Sequence, residues 1–277
     1  MNSLLQRDPA DSVVIVDAVR TPIGTFMGEL SALPAYRLGS VAIRALLQRT
    51  GVAGDQIGEV IMGNIVGTEP RGNPAREALL DAGLPISIPA FTVNKNCASG
   101  LKSIALGANA ILAGEYDACI GGGMESMSRI PHIMRGMRAG VRMGDAVIED
   151  LLLELLEGMG LTAERLASDY KISREAQDAF ALRSQMRAAE SIRMGRFRDE
   201  IVPIAVTLKR KEVVVDSDLG VKSETTMQGL SALKPVFQTD GCVTAGNSST
   251  INDAGAALLL MRESTARELN LNPLARI

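Results

Sequence analysis

Over its first 121 residues the chain alternates short β-branched runs with helical periods. Residues 13–18 (VVIVDA), 57–64 (IGEVIMGN), 86–93 and 116–121 (YDACIG) read as strands, and 34–49, 73–82 and 97–113 read as the helices between them. Strands joined repeatedly through helices of this length imply crossover connections, so the expected architecture is a layered α/β fold with a mixed, mostly parallel sheet. Leu38, Val41, Ala42, Ala45 and Leu46 share one face of the first helix, and Gly51 stops it. Pro89 argues for an irregular start to the third strand. Segment 97–113 is apolar nearly all round, which predicts a helix buried between layers.

The middle of the chain departs from this alternation. Segment 124–145 is rich in Met and Arg; 151–156, 162–170 and 173–194 read as three helices, the last capped by Ser173 and closed before Gly195; 200–206 and 211–215 read as short strands. From Leu233 buried α/β character returns, with 243–247 as a loop, 252–261 as a core strand or buried helix, 263–270 as a polar helix and 273–277 as the start of a strand. The expected division is 1–120 as the first part of an α/β half, 121–240 as an inserted, mainly helical domain, and 241–277 as a return to that half.

Hydrophobic residues at 46% and charged residues at 22% exclude disorder as the main reading. A net charge of −3, 3% aromatic residues and no Trp argue against a nucleic-acid partner. No apolar run approaches about 18 residues, so no membrane span is expected. Residues 1–6 are too short for a signal sequence. Cys97, Cys119 and Cys242 lie far apart with no CxxC pattern, so no metal site is expected and a reducing, cytoplasmic setting is.

The chain has a single histidine, His132. A cysteine–histidine pair must therefore use it or take its base from elsewhere. Cys97 follows a strand and opens a long helix, in Asn94-Lys95-Asn96-Cys97-Ala98-Ser99-Gly100. A helix N-terminus and Lys95 favour a thiolate, and the small residues leave room for a carbonyl group. A buried structural cysteine fits the same spacing, and both readings stand at this point. Cys119 reads as core and Cys242 as a loop thiol. Gly121-Gly122-Gly123 lacks a phosphate-loop pattern and reads as a place of close backbone approach. Arg129, Arg135, Arg138 and Arg142 alternate with Met127, Met134, Met137 and Met143, which suits an adaptable subunit interface better than an acidic ligand; His132, among them, reads as structural or solvated.

An ordered set of motifs then resembles the thiolase family. Val16-Asp17-Ala18-Val19-Arg20-Thr21-Pro22-Ile23-Gly24 is similar to that family's first strand and turn, and Val93 to Lys102 to its nucleophile segment. Gly122-Gly123-Met124-Glu125-Ser126-Met127-Ser128, Ile172-Ser173-Arg174-Glu175-Ala176-Gln177-Asp178, Asp199-Glu200-Ile201-Val202-Pro203 and Val243-Thr244-Ala245-Gly246-Asn247-Ser248-Ser249 complete the set. The resemblance implies two similar βαβαβαββ halves with a loop domain inserted in the first. It also implies acyl transfer to and from coenzyme A, as substrate and product rather than as a resident cofactor.

Carried over, Cys97 is the acyl-accepting nucleophile. Met159 falls in the pantetheine pocket, Lys222 near the nucleotide end of coenzyme A, and Phe237, Ala245 and Ser249 on further coenzyme A contacts. The resemblance also implies acyl-CoA or acetyl-CoA as ligand and a homodimer, a homotetramer or a partner chain supplying a second half. The family's Asn-Glu-Ala-Phe segment, Gly-His-Pro histidine and second catalytic cysteine are expected in that second half, so these residues alone are expected to be inactive. Gly158 stands where the family often has His, Thr250 where it has Gly, and Asp253-Ala254-Gly255 where it has Asp-Gly-Ala. A non-catalytic coenzyme A-binding or assembly protein derived from the fold is the alternative. The Met-Glu-Ser-Met-Ser and Thr-Ala-Gly-Asn motifs speak against a ketoacyl synthase.

Overall fold

The computed structural model describes residues 11–67 and 72–277; residues 1–6, considered above as a leader, lie outside them. In chain order the elements are β1 (Val13–Arg20), β2 (Gly24–Thr25), α1 (Ala35–Thr50), β3 (Glu59–Gly63), α2 (Pro74–Asp81), β4 (Ala90–Val93), α3 (Ser99–Ala113) and β5 (Ala118–Ser126). There follow β6 (His132–Ile133), β7 (Glu149–Asp150), α4 (Leu151–Asp169), α5 (Arg174–Arg193), β8 (Ile204–Leu208), β9 (Lys211–Val215), α6 (Met227–Ser231), β10 (Asn252–Arg262), α7 (Glu263–Glu268) and β11 (Ala275–Arg276). They form two compact units. The first runs to Arg129 and includes Arg198–Leu219 and Asn252–Ile277; the second comprises Ile130–Phe197 and Gly220–Ile251.

The first unit is built on a seven-stranded sheet in the order β11-β1-β10-β5-β3-β4, with β2 also on β10. β3 pairs in parallel with β4 and β5, while β10 runs antiparallel to β1, β2 and β5, and β11 antiparallel to β1. Five of the seven strands, β1 to β5, therefore share one direction, and the sheet is mixed as expected, with its parallel pairings at β3 and its antiparallel ones around β10 and β1. Segment 252–261, open between strand and helix, is the strand β10. Alternate residues point to opposite faces. Val14, Val16, Ile120, Leu259 and Met261 pack under α1 and α2; Val13, Cys119 and Leu260 pack under α3 with Ala108 and Ile111. The β8–β9 hairpin closes a smaller cluster in which Ile204, Val206 and Val215 meet Leu30 and Leu38.

Local signals set the helix ends. Asn73 caps α2 by accepting from the Arg76 amide, with Pro74 at the first helical position, and Gly51 closes α1 in the left-handed conformation at φ 69°. β4 begins at the residue after Pro89. One expectation fails in α3. Only one face of that helix is buried; Leu101 and Leu112 on the other are 72% and 59% exposed. Periodicity could not separate a helix sandwiched between layers from one that presents apolar residues outward.

In the second unit α4 is one continuous helix, where 151–156 and 162–170 had been expected as two. Gly158 and Gly160 interrupt the sequence pattern but not the backbone. A side chain at Gly160 would collide with the Phe237 ring, so this glycine is the seat of a packed aromatic rather than a break. Ser173 caps α5 as expected, accepting from the Ala176 amide at 3.2 Å.

Candidate active site

β3, β5 and β10 are central strands, and the first turn of α3 lies directly on them. At Gly63 an added Cβ would stand 2.6 Å from Gly100 N and from the Ser99 carbonyl carbon. At Gly121 it would meet the Ile104 backbone at 3.2 Å, and at Gly122 it would run into the Ala256 carbonyl. The glycine triplet lies inside β5 and permits the close backbone approach expected of it. Ser103 fastens the helix there: the Gly122 amide donates to Ser103 Oγ at 2.9 Å, and that hydroxyl lies 2.7 Å from Gly122 O and 2.6 Å from Gly100 O.

Cys97 emerges from this seat exposed, two residues before the first residue of α3, whose cap is Ala98. It is not the first residue of the helix, as its segment suggested, but part of a tight turn ahead of it. Asn96 holds a positive φ of 49°, the Lys95 amide donates to Ser99 Oγ at 2.8 Å, and Ser99 Oγ donates to Asn96 O at 2.6 Å. Cys97 opens into a cavity of about 340 Å³, within the usual range of small-molecule sites. Its walls come from the end of β3 (Gly63, Asn64, Ile65), the end of β5 (Gly123, Met124, Glu125), β10 (Ala254, Gly255, Ala256) and the β1 terminus (Arg20, Thr21, Ile23).

Two polar groups in this wall escaped the sequence reading. Glu125 Oε2 accepts from the Ile65 amide at 2.7 Å; Oε1 accepts from Asn64 Nδ2 at 2.9 Å and from the Val66 amide at 3.3 Å. Burial pushes the Glu125 carboxyl above the ordinary range, and these donors only partly offset that. Asn64 is 3% exposed; its Nδ2 also donates to Met124 O at 3.0 Å, while its Oδ1 has no hydrogen-bond partner among the described residues. A carboxyl group inside an otherwise apolar strand was the available signal. Arg20 is clamped by Asp218 through both terminal nitrogens (2.6 and 2.9 Å) and by Glu200 through Nε at 2.8 Å.

Cys119 is fully buried against Gly107, and burial pushes its thiol up to about 12. This thiol lies in the core under α3, outside the cavity.

Met159, Lys222, Phe237, Ala245 and Ser249 all belong to the second unit. Lys222 and Ala245 line one cavity of about 220 Å³ with Gln185, Thr226, Leu230 and Ser248. Ser249 sits between two residues of that wall, Ser248 and Thr250, without lining it. Phe237 instead packs on Gly160 of α4, next to the exposed Met159. The loop that carries Ala245 is shaped by buried Asp178. Arg174 Nε lies 2.8 Å from Asp178 Oδ2, Asn247 Nδ2 donates to Asp178 Oδ1 at 2.9 Å, and the Thr244 amide donates to Asn247 Oδ1 at 2.7 Å.

At the other end of that loop buried Glu164 accepts from the Cys242 and Val243 amides (2.9 Å each) and from Cys242 Sγ at 3.2 Å. Burial raises the Glu164 carboxyl, but these donors outweigh it and hold it below the ordinary range. Burial and the same carboxylate push the Cys242 thiol up. His132 is exposed, with Nε2 3.7 Å from Asp150 Oδ2, and Arg135 pairs with Glu149 at 2.7 Å.

An exposed cysteine ahead of a helix seated on a glycine-lined sheet opens into a mostly apolar cavity, an arrangement open to a thiol nucleophile. The thiolase N-terminal domain matches residues 13–264. An acetyl-CoA acetyltransferase of Pseudomonas aeruginosa is 48% identical over 273 residues, covering 96% of this chain and 70% of the relative. A probable acetyl-CoA acetyltransferase of Escherichia coli is 45% identical, covering 96% and 69%. The crystal structure of the Bacillus anthracis acetyl-CoA acetyltransferase superposes with a TM-score of 0.93 at 41% identity, covering 96% of this chain and 69% of that one. The chain belongs to the thiolase family and is a thiolase-type enzyme chain.

Proposed function

We propose that this chain carries the acyl-accepting half of an acyl-CoA:acetyl-CoA C-acyltransferase. Cys97 Sγ attacks the thioester carbonyl of an acyl-CoA; the new S–C bond forms, the bond to the coenzyme A sulfur breaks, and the released thiol takes the proton that Cys97 gave up. In condensation the α-carbon of acetyl-CoA loses a proton and forms the new C–C bond to the acyl carbonyl as the bond to Cys97 Sγ breaks. Thiolysis is the reverse, in which Cys97 Sγ takes the acyl group from a 3-ketoacyl-CoA with acetyl-CoA leaving, and coenzyme A then takes the acyl group from Cys97. The observation that carries this reading is the exposed Cys97 thiol in its cavity ahead of α3. Met159, Lys222, Phe237, Ala245 and Ser249 are the proposed coenzyme A contacts, the first three in the loop domain proposed for 121–240 and the last two in the segment 241–277 that follows it. Acetyl-CoA is the favoured substrate because the relatives named above are acetyl-CoA acetyltransferases.

The base for Cys97 and the cover for the outer face of α3 are proposed to come from a further polypeptide segment, in a homo-oligomer or with a partner chain. The 277 residues alone are then expected to acylate without turning over. Three free thiols suit a cytoplasmic setting. The test is mass spectrometry after incubation with acetyl-CoA: a single acetyl group on Cys97, absent in Cys97→Ser, is expected. An unmodified Cys97 would favour the non-catalytic binding protein instead.

A further inference from the structure

We propose that Glu125 and Asn94 form a positioning relay that fixes the Cys97 turn to the central sheet. The proposal rests on Cys97 being the acyl acceptor. Glu125 is on β5, inside the sheet, and holds the Ile65 amide at 2.7 Å. The carbonyl of the same Ile65 accepts from Asn94 Nδ2 at 2.9 Å, and Asn94 Oδ1 accepts from the Asn96 amide at 3.0 Å. Asn96 is the residue before Cys97, and its left-handed backbone at φ 49° is uncommon for a residue with a side chain. One residue, Ile65, is thus gripped at its N–H by a sheet carboxylate and at its C=O by the cysteine loop. The direction of every bond is set by chemistry. Both Glu125 oxygens face only N–H donors, and Asn64 Nδ2 faces only acceptors. Glu125 shares the cavity wall with Cys97, but both its oxygens are taken up by N–H donors, and Asn94 lies outside that wall, so each acts through the placement of the thiol.

The experiment uses the full chain and three variants, Asn94→Ala, Glu125→Gln and their combination. Glu125→Gln sets an NH₂ group against N–H donors, while Asn94 is exposed and its replacement leaves the core intact. Acetylation of Cys97 is followed by peptide mass spectrometry over a range of acetyl-CoA concentrations. Alkylation of Cys97 by iodoacetamide, a small reagent with no docking requirement, is followed beside it, with Cys242 as internal reference. Each single variant should lower the saturating acetylation rate by about tenfold while the half-saturating concentration and the alkylation rate stay within about twofold. The double variant should be no slower than either single one, because the links act in series. Asn94→Asp, which keeps the acceptor for Asn96 and loses the donor to Ile65, should fall between wild type and Asn94→Ala.

Multiplying effects in the double variant, or alkylation that falls in step with acetylation, would overturn the relay. If Glu125→Gln fails to fold, the two Asn94 variants decide: acetylation at the wild-type rate in Asn94→Ala overturns it. A wild-type chain that alkylates but never acetylates at Cys97 removes the acyl-transfer reading and the relay with it, and is recognised by the failure of the wild type itself.

Discussion

Gly63→Ala tests whether the seat of α3 controls both stability and chemistry. The added methyl group would stand 2.6 Å from Gly100 N and from the Ser99 carbonyl carbon, and 2.8 Å from Ser99 Cβ. Ordinary carbon contacts lie at about 3.5–4.0 Å, so the two backbones must part by about 1 Å. β3 is held on both sides, by β4 and β5, so the start of α3 is the part that yields. Overpacking of this kind costs about 1–3 kcal/mol. For a chain of this size that lowers the melting temperature by about 2–4 °C per kcal/mol, measurable by calorimetry. Cys97 lies two residues ahead of α3 and moves with it, and a displacement of about 1 Å costs a positioned reaction about 100-fold in rate. Acetylation of Cys97 by acetyl-CoA should therefore collapse while iodoacetamide alkylation persists. A Gly63→Ala chain that melts with the wild type and acetylates at its rate would show that α3 does not bear on Gly63.

Gly158→Ala makes the opposite perturbation. Gly158 is in the interior of α4 with nothing within 4 Å of an added Cβ, so the chain should gain about 0.5–1 kcal/mol, seen as a higher melting temperature. Glu164 is held below its ordinary range, so its contribution is complete above the unfolded carboxyl value near 4.5 and is lost as pH falls through the folded value. Glu164→Gln should cost about 1–3 kcal/mol at neutral pH and flatten the acid limb of a melting-temperature series; an unchanged limb refutes the role given to this carboxylate. Charged residues in place of both Leu101 and Leu112 should leave folding within about 0.5 kcal/mol, because both side chains are exposed, and abolish any self-association seen by sedimentation.

Much of the first unit was legible because its information is local. The β-branched run of β1, the helix read from Asn73 and the stop at Gly51 each rest on a few neighbouring residues, and each appears where those residues predicted, whereas 252–261 stayed open between strand and helix until the sheet showed it as β10. The start of α3 was misplaced by two residues for a different reason. A turn built on Asn96 at positive φ and on Ser99 carries no periodic signal. The antiparallel partners of β10 were also hidden, since they join residues more than a hundred positions apart, such as Asp253 with Ser126.

The polar groups that shape the two cavities were hidden by the same distance. Nothing in Ser173-Arg174-Glu175-Ala176-Gln177-Asp178 says that Asp178 will hold Asn247, or that Glu164 will receive the amides of Cys242 and Val243. These motifs looked like separate strings, yet Asp178 and Asn247 are two ends of one bond. A buried carboxylate tolerates few substitutions, because removing its donor leaves an uncompensated charge at a cost of about 3–5 kcal/mol. This constraint explains why short polar strings, rather than the hydrophobic pattern, carried the resemblance to the family. The hydrophobic pattern specifies a layered α/β sheet that many sequences satisfy. Pairs such as Asp178 with Asn247, or Glu125 with the Ile65 amide, specify loops that few other sequences would build, and those loops frame the cavities in which the chemistry is proposed to occur.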